Sequence, residues 1–177
     1  PSIMKALQDA IMVPENYKYA INELPEMKAA IHDWYKDRYH VELTNDEMIC
    51  LQGSQEALST LFLAMCDPGD IVLVPDPYYP IFSDGPKIAG AKVEYMPLLE
   101  EYNYVIQLDK IDEEIAKQAK MMIVSYPNNP TCAVAPDSFY EDLIAFAKKY
   151  DIVVLHDNAY SELVFDGKVG KSFLSFD

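Results

Sequence analysis

Apolar residues recur every three or four positions in the first part of the chain. This spacing predicts one helix over residues 2–13 and a second over residues 24–39, with irregular chain at 15–23 between them. Further on, Thr44 is followed three residues later by Glu47, which is the form of a capping box and predicts a short helical turn.

Beyond that turn, short apolar runs alternate with helical patterns. The runs predict strands at residues 48–52, 71–74, 92–96, 121–126 and 152–156. The segments between them predict helices near residues 55–66, 79–89, 109–119 and 137–150. Asp109 suits the N-cap of the third helix, and Pro136 suits the first position of the fourth. Apolar strands that alternate with helices indicate βαβ units.

The predicted fold class is therefore α/β, a mostly parallel sheet with helices on both faces. We expect an N-terminal helical segment over residues 1–44 and an incomplete α/β domain over residues 45–177. After a turn at residues 166–167 and the short run 172–174, no strand or helix completes the pattern, so we expect an interrupted chain. An unpaired sheet edge would then favour association or poor solubility.

Composition narrows the possible partners. The 177 residues are half apolar and 24% charged, which is typical of a globular protein. A formal net charge of −15 disfavours binding to nucleic acids and to anionic membrane surfaces. Thirteen of the 14 basic residues are Lys, and Arg38, the single arginine, is expected on a solvated helix face.

Three cysteines, an odd number without metal-like or redox spacing, favour a reducing compartment. With no apolar run long enough for a bilayer and no secretory leader, we expect a cytoplasmic protein. Its start at Pro1 indicates processing or a cut.

Chemistry-bearing residues follow the predicted strands, at the edge where ligands bind to open parallel sheets. Ser54 and Gln55 begin a helix whose N-terminal N–H groups suit a phosphate. Tyr79 offers an aromatic face, Asn129 a hydrogen-bond donor, and Asp157 a partner for a protonated ring nitrogen. Each signal alone also fits a helix cap, a turn or packing, although an unpartnered carboxylate at Asp157 would be costly.

Four segments together carry a resemblance to a known family: Gly53-Ser54-Gln55-Glu56-Ala57-Leu58, Pro75-Asp76-Pro77-Tyr78-Tyr79-Pro80, Ser125-Tyr126-Pro127-Asn128-Asn129-Pro130-Thr131 and His156-Asp157-Asn158-Ala159-Tyr160. In order and spacing they resemble the class I/II aminotransferases of pyridoxal-phosphate fold type I. The stretch from Leu155 to Gly167 most resembles the LL-diaminopimelate and aspartate aminotransferase group. The resemblance covers essentially the whole chain, as the front half of such an enzyme.

The resemblance implies a pyridoxal 5'-phosphate cofactor and a role for each matching residue. Ser54 and Gln55 would hold the phosphate, Tyr79 would stack on the ring, and Asp157 would keep the ring nitrogen protonated. A protonated ring is the electron sink that this chemistry uses.

The remaining matches concern the cofactor's phenolic oxygen and a second subunit. Asn129 and Tyr160 would hydrogen-bond the phenolic oxygen, and Tyr19 would reach the phosphate of a neighbouring subunit, which implies a homodimer. Two departures are visible: Cys132 stands where the family usually has Gly, and the loop at residues 20–23 is shorter than the family's.

The family's Schiff-base lysine lies in a Ser-x-Ser-Lys segment that these 177 residues do not contain. Lys168 and Lys171 are expected to be solvated, and the family's substrate-binding arginine and N-terminal arm are missing as well. The first hypothesis is therefore a fragment of an amino-acid aminotransferase, acting between an amino acid and a 2-oxo acid, that is itself inactive.

Two alternatives stay open: a non-catalytic binding or interaction domain with the same fold, and a fragment of a fold-type-I lyase such as a carbon–sulfur lyase. Other chemistries lack their motifs. The chain has no Gly-x-Ser-x-Gly elbow, no Gly-x-Gly-x-x-Gly or phosphate-loop lysine motif, and no clustering of its three histidines.

Overall fold

The computed structural model describes residues 1–19, 21–165, 167 and 169–177. The predicted turn at residues 166–167 and Lys168 therefore lie wholly or partly outside the described residues. Within them the helices and strands run in the order α1 (Ser2–Ile11), α2 (Pro25–Tyr39), α3 (Ser54–Met65), β1 (Ile71–Asp76), α4 (Ile81–Ile88), β2 (Lys92–Pro97), α5 (Glu113–Ala116), β3 (Ala119–Ser125), α6 (Asp137–Tyr150) and β4 (Val153–Asp157).

The four strands form one sheet in the order β2-β1-β3-β4, and every neighbouring pair is parallel. The register sets Val74 opposite Tyr95 and Ser125 opposite Asp157. All carboxyl ends consequently lie along one edge, and the predicted α/β fold with a parallel sheet is confirmed.

Side chains of the two central strands alternate between two apolar cores, as the two-residue period of a strand requires. One face packs against α3 and α4 through the buried side chains Phe62, Val72, Val74, Phe82, Met121 and Ile123. The other packs against α6 through Leu73, Met122, Val124, Phe139 and Leu143. Helices thus cover both faces, as predicted.

The strand predicted at residues 48–52 is absent. Met48 has extended backbone angles (φ −127°, ψ 135°), but the segment pairs with none of the described strands. Ile49 stays 75% exposed, and the backbone N–H of Cys50 donates to Glu23 Oε1 at 2.9 Å instead. An apolar run becomes a strand only when a neighbouring strand accepts its backbone hydrogen bonds.

The helix predicted over residues 109–119 is shorter than expected. Asp109 lies in a 3-10 turn, and the N-cap is Asp112, whose carboxylate accepts from the N–H groups of Glu114 and Ile115. Pro136 likewise precedes α6 as its N-cap instead of filling its first position. The capping box at Thr44 is confirmed, since Glu47 Oε2 accepts the Thr44 backbone N–H at 2.8 Å.

The N-terminal helices add little to the two cores. No residue of α1 is buried, and Tyr39 is the only buried residue of α2. The division at residue 44 stays a prediction. No helix among the described residues has the length and apolar content that crossing a membrane requires.

Candidate functional site

The predicted site residues come from successive segments that meet at the carboxyl edge of the sheet. Asp157 is the last residue of β4, Asn129 lies in the turn after β3, and Tyr79 lies in the turn after β1. Ser54 and Gln55 are the first two residues of α3, which packs on the same sheet.

The N-terminus of α3 is uncapped. Gly53 precedes it with φ 82° and ψ 155°, a conformation that side-chain-bearing residues rarely adopt. No side chain among the described residues caps this end, and the first backbone N–H groups of a helix have no partner within the helix. Together with the positive end of the helix dipole, these N–H groups at Ser54 and Gln55 suit an anion such as a phosphate.

Tyr79 and Gln55 are brought into contact across the site. The Tyr79 hydroxyl donates to Gln55 Oε1 at 3.2 Å, and the Tyr79 ring packs edge-to-face on buried Phe82 with centroids 6.0 Å apart. The start of α3 and the turn after β1 are thereby joined, with the Tyr79 ring partly exposed.

Asn129 and Tyr160 also approach each other, from the turns after β3 and β4. Asn129 Nδ2 lies 3.5 Å from the Tyr160 hydroxyl, which is at the long end of a hydrogen bond. Two side chains that both carry donors and point to one spot can hold a single acceptor oxygen between them.

Buried Asn128 shapes the turn that presents Asn129. Its Oδ1 accepts from the backbone N–H and the hydroxyl of Thr131, at 3.2 and 2.8 Å, and its carbonyl accepts from the N–H of Cys132 at 2.8 Å. Cys132 has φ 59°, so the position where the resemblance expects Gly keeps the left-handed backbone that Gly favours.

Asp157 carries a carboxyl whose ionised form is poorly solvated. Burial raises the pKa of Asp157, and a hydrogen bond from the backbone of Ala159 opposes that rise. None of the ion pairs found among the described residues includes Asp157. A partly buried carboxylate without a cation is costly, so a protonated nitrogen brought here would be bound favourably.

Three buried polar atoms flank these residues and have no hydrogen-bond partner in the part of the chain that the structure describes: Asn128 Nδ2, His156 Nε2 and Asn158 Oδ1. Buried polar atoms are nearly always hydrogen-bonded, and unpaired ones commonly mark places that receive a ligand or water. Each of the three belongs to a residue adjacent in sequence to Asn129 or Asp157.

A cavity of about 550 Å³ opens beside Asn129 and Tyr160. Its mostly apolar lining comes from Pro127, Asn128, Asn129, Pro130, Cys132, Val134, Tyr160, Leu163, Val164 and Phe165. A volume of this size accommodates a small-molecule ligand. A larger cavity, of about 860 Å³ beside Tyr102 and Lys171, contains none of the predicted site residues.

Tyr19 stands apart from the other predicted residues. Its side chain is 95% exposed, on the N-terminal segment between α1 and α2. Lys171 does not approach the site either, since its Nζ pairs with Asp137 at 3.3 Å.

Two contacts that sequence reasoning missed hold the segment after β4. Arg38 Nε donates to Glu162 Oε1 at 2.8 Å, and the Tyr39 hydroxyl donates to Ser161 Oγ at 2.9 Å. Arg38 is therefore paired, and the expectation of a solvated helix face is wrong. More than 120 residues separate the partners of each pair, so no local sequence signal could have revealed the contacts.

A parallel α/β sheet with these residues at its carboxyl edge is typical of one class of enzyme, and comparison with known families identifies that class. The family model for aminotransferase class I and II matches residues 1–175, and the chain belongs to that family.

Individual relatives narrow the similarity further. The chain is 44% identical over 178 aligned residues to an LL-diaminopimelate aminotransferase of Halothermothrix orenii, covering 99% of this chain and 46% of that protein. It is also 44% identical to the enzyme of the same name from Aquifex aeolicus, over 91% of this chain and 42% of the relative. The chain thus spans about half the length of the curated relatives it matches.

Solved structures agree. Apo-BacF from Bacillus subtilis superposes with a TM-score of 0.93 at 37% identity, over 99% of this chain and 45% of that one. A probable N-succinyldiaminopimelate aminotransferase from Thermus thermophilus gives a TM-score of 0.90 at 34% identity, over 97% and 46% of the two chains. The similarity to the aminotransferase class that the motifs indicated is thereby confirmed.

Proposed function

We propose that the whole protein to which this chain corresponds is a pyridoxal-phosphate-dependent aminotransferase that moves an amino group between an amino acid and a 2-oxo acid. The observation that carries the proposal is Asp157, a partly buried carboxyl at the end of β4 with no cationic partner among the described residues. Its neighbours on the same edge are the Asn129–Tyr160 pair and the open N-terminus of α3.

The residues present fit this cofactor. The N–H groups at Ser54 and Gln55 would take its phosphate, because they form an uncapped helix N-terminus. Asp157 would hold a proton on its ring nitrogen, because a cation offsets the cost of that carboxylate. Bound pyridoxal phosphate supplies an electron sink, which stabilises negative charge at the Cα of an amino acid.

The other contacts orient the ring. Asn129 and Tyr160 would both reach its phenolic oxygen, since their polar atoms already lie 3.5 Å apart. Tyr79 would lie against its face, supported from behind by Phe82. The role of Tyr19 at the site of a second subunit, and hence a homodimer, rests on the family resemblance and on the high exposure of its side chain.

Substrate and location belong to the proposal as well. LL-diaminopimelate is the substrate named for the two curated relatives, and we propose an amino acid of that kind as the first candidate. A cytoplasmic location is supported by three cysteines that are all free in the structure.

The chain as it stands is expected to bind the cofactor without transaminating, because its 177 residues contain no Ser-x-Ser-Lys segment. A general base at the substrate Cα is needed for turnover, and the family resemblance assigns that task to the lysine. The purified chain, assayed against a blank that contains only cofactor, should show no excess amino transfer. Amino transfer above the blank contradicts this part of the proposal.

Titration with pyridoxal phosphate tests the site itself. We expect a saturable change in cofactor absorbance, and a Kd about ten- to a hundredfold higher for Asp157→Asn, the range that loss of a charge-assisted hydrogen bond gives. Asp151→Asn is the matched control, since Asp151 begins the turn at the opposite end of β4 and its left-handed backbone (φ 57°) suits Asn. No saturable change, or equal effects of the two substitutions, contradicts the proposed function.

The alternative of a non-catalytic binding domain also predicts that this chain binds the cofactor. The two differ in whether the whole protein catalyses amino transfer. The lyase alternative gains nothing from the comparisons, because the relatives described above include named aminotransferases.

A further inference from the structure

The segment that carries Tyr160 has little regular structure of its own. Residues 159–162 form a turn shortly after β4, and the N–H of Leu163 donates to the Tyr160 carbonyl at 2.9 Å. Tyr160 itself is 37% exposed, and the side-chain hydrogen bond that it makes among the described residues, with Asn129, is long at 3.5 Å. Its position must therefore be fixed by the residues beside it.

The end of α2 supplies that fixation. The Tyr39 hydroxyl donates to Ser161 Oγ at 2.9 Å, and both residues are buried, with 8% of each exposed. One residue earlier on α2, Arg38 Nε donates to Glu162 Oε1 at 2.8 Å, with 22% of the Arg38 side chain exposed. The Tyr39–Ser161 hydrogen bond is buried, whereas Glu162 is 51% exposed, so loss of the Tyr39–Ser161 bond costs more than loss of the Arg38–Glu162 pair.

Ser161 is also held from the C-terminal side. A Cβ built on Gly170 would lie 2.0 Å from the Ser161 carbonyl oxygen, so the chain at Gly170 packs directly on the Ser161 backbone. Ser161 is consequently enclosed between Tyr39 and Gly170, and the adjacent Tyr160 has little freedom to shift along the sheet edge.

We propose that Arg38 and Tyr39 are positioning residues, which set the place of Tyr160 at the cofactor site through their bonds to Ser161 and Glu162. We call these four residues the α2 clamp. The functional part of this inference rests on the proposed function, whereas the structural part concerns the clamp alone. Through the α2 clamp, the N-terminal helical segment contributes to the cofactor site. Apart from Tyr19, the other predicted contacts of that site lie beyond residue 44.

The structural part is tested without any cofactor. Tyr39→Phe removes one hydroxyl and keeps the ring, which packs edge-to-face on Tyr35 with centroids 5.3 Å apart. We expect amide hydrogen exchange in residues 158–163 to become at least about threefold faster in the full chain carrying this substitution. Tyr150→Phe is the matched control at the far end of α6, where Lys149 Nζ contacts the Tyr150 hydroxyl at 2.7 Å.

Ser161→Ala repeats the test from the other side of the hydrogen bond, in case Tyr39→Phe does not fold. Faster exchange with either substitution, and not with Tyr150→Phe, supports the clamp. Unchanged exchange overturns it, whether or not the chain binds a cofactor.

The functional part is tested by titration with pyridoxal phosphate. We expect Tyr39→Phe to raise the Kd about three- to tenfold, and to displace the pH at which the absorption band of the bound cofactor changes. In a chain that already carries Tyr160→Phe, the same substitution should have no further effect, because it acts through Tyr160.

The outcomes separate the two proposals. An equal effect of Tyr39→Phe in both backgrounds shows a general loss of stability and overturns positioning. Absence of cofactor binding by the unsubstituted chain contradicts the proposed function and the functional part together, while the exchange measurement still decides the clamp.

Discussion

His156 shows how a residue next to the site affects the stability of the whole chain. Its ring lies among Tyr140 and Phe173, and its Nδ1 accepts the backbone N–H of Phe173 at 3.3 Å. Burial lowers the pKa of His156 from 6.5 to about 4, because a charged imidazole would lose its hydration there.

This lowered pKa predicts a loss of stability in mild acid. The unfolded chain takes up the His156 proton near pH 6.5 and the folded chain only near pH 4, so the contribution is complete above pH 6.5 and is lost as the pH falls between those values. At about 1.4 kcal/mol for each pH unit, the loss in the free energy of unfolding amounts to about 3 kcal/mol.

Urea unfolding at several pH values between 7 and 4 measures the effect. His156→Asn keeps an acceptor for Phe173 and cannot gain a proton, so the fall in unfolding free energy should be shallower than in the unsubstituted chain. His40→Asn is the control, since His40 is exposed and its left-handed backbone (φ 58°) suits Asn. The same slope for both variants contradicts the prediction.

At the residue scale, the sequence was sufficient to select candidate residues that the structure brings to one sheet edge, but not the contacts that hold the segment after β4. Asp157 ends one strand and Asn129 follows another, so a parallel topology predicts that both lie on one edge of the sheet. Arg38 gave no such signal, because its partner Glu162 lies 124 positions away and the pairing depends on how α2 packs.

At the element scale, the packing of α3 on α4 depends on one glycine. A Cβ built on Gly85 would lie 2.1 Å from the carbonyl oxygen of Leu58 and 2.9 Å from the ring of Phe62. Both partners belong to α3 and are buried, so neither can move aside cheaply.

Gly85→Ala is therefore expected to destabilise the chain by about 1–3 kcal/mol, although Ala is the better helix former. Ile88→Ala on the same helix is the comparison, because Ile88 is 65% exposed and should change stability much less. Thermal unfolding of both variants decides the matter, and an unchanged or raised Tm for Gly85→Ala would contradict the close approach.

Elements are predicted correctly from the sequence where their apolar residues are buried against a neighbouring helix or strand. The predicted bounds of α6, residues 137–150, match the structure, because its apolar stripe is buried against β3. The run at 48–52 has the composition of a strand but pairs with none of the described strands, and composition alone does not show whether a partner strand exists. The helix predicted at 109–119 begins too early because Asp109 and Asp112 both suit an N-cap, and the structure uses Asp112.

At the scale of the whole molecule, the described structure leaves two kinds of surface uncovered. The outer strands β2 and β4 each pair on one side only, and α1 leaves Ile3, Leu7 and Ile11 between 52% and 84% exposed. Unpaired strand edges and contiguous apolar surfaces are the features through which proteins associate. The relatives are about twice as long as this chain, so they have further residues that could cover such surfaces.

We therefore expect the purified chain to associate at high concentration, and α1 to contribute to that association. Leu7→Lys places a charge in the middle of the apolar stripe of α1, where it removes an apolar contact and would have to lose its hydration if that stripe were covered by another copy. Lys5→Gln is the control, since Lys5 lies on the same helix and pairs with Asp9 along its surface. Light scattering over a concentration series should show a mass above that of one chain, 20.1 kDa, which decreases toward it with Leu7→Lys and not with Lys5→Gln.

A single-chain mass at every concentration contradicts the expectation of association. An unchanged high mass in Leu7→Lys would point to the open sheet edges at β2 and β4, because those edges offer backbone hydrogen bonds that no substitution in α1 removes.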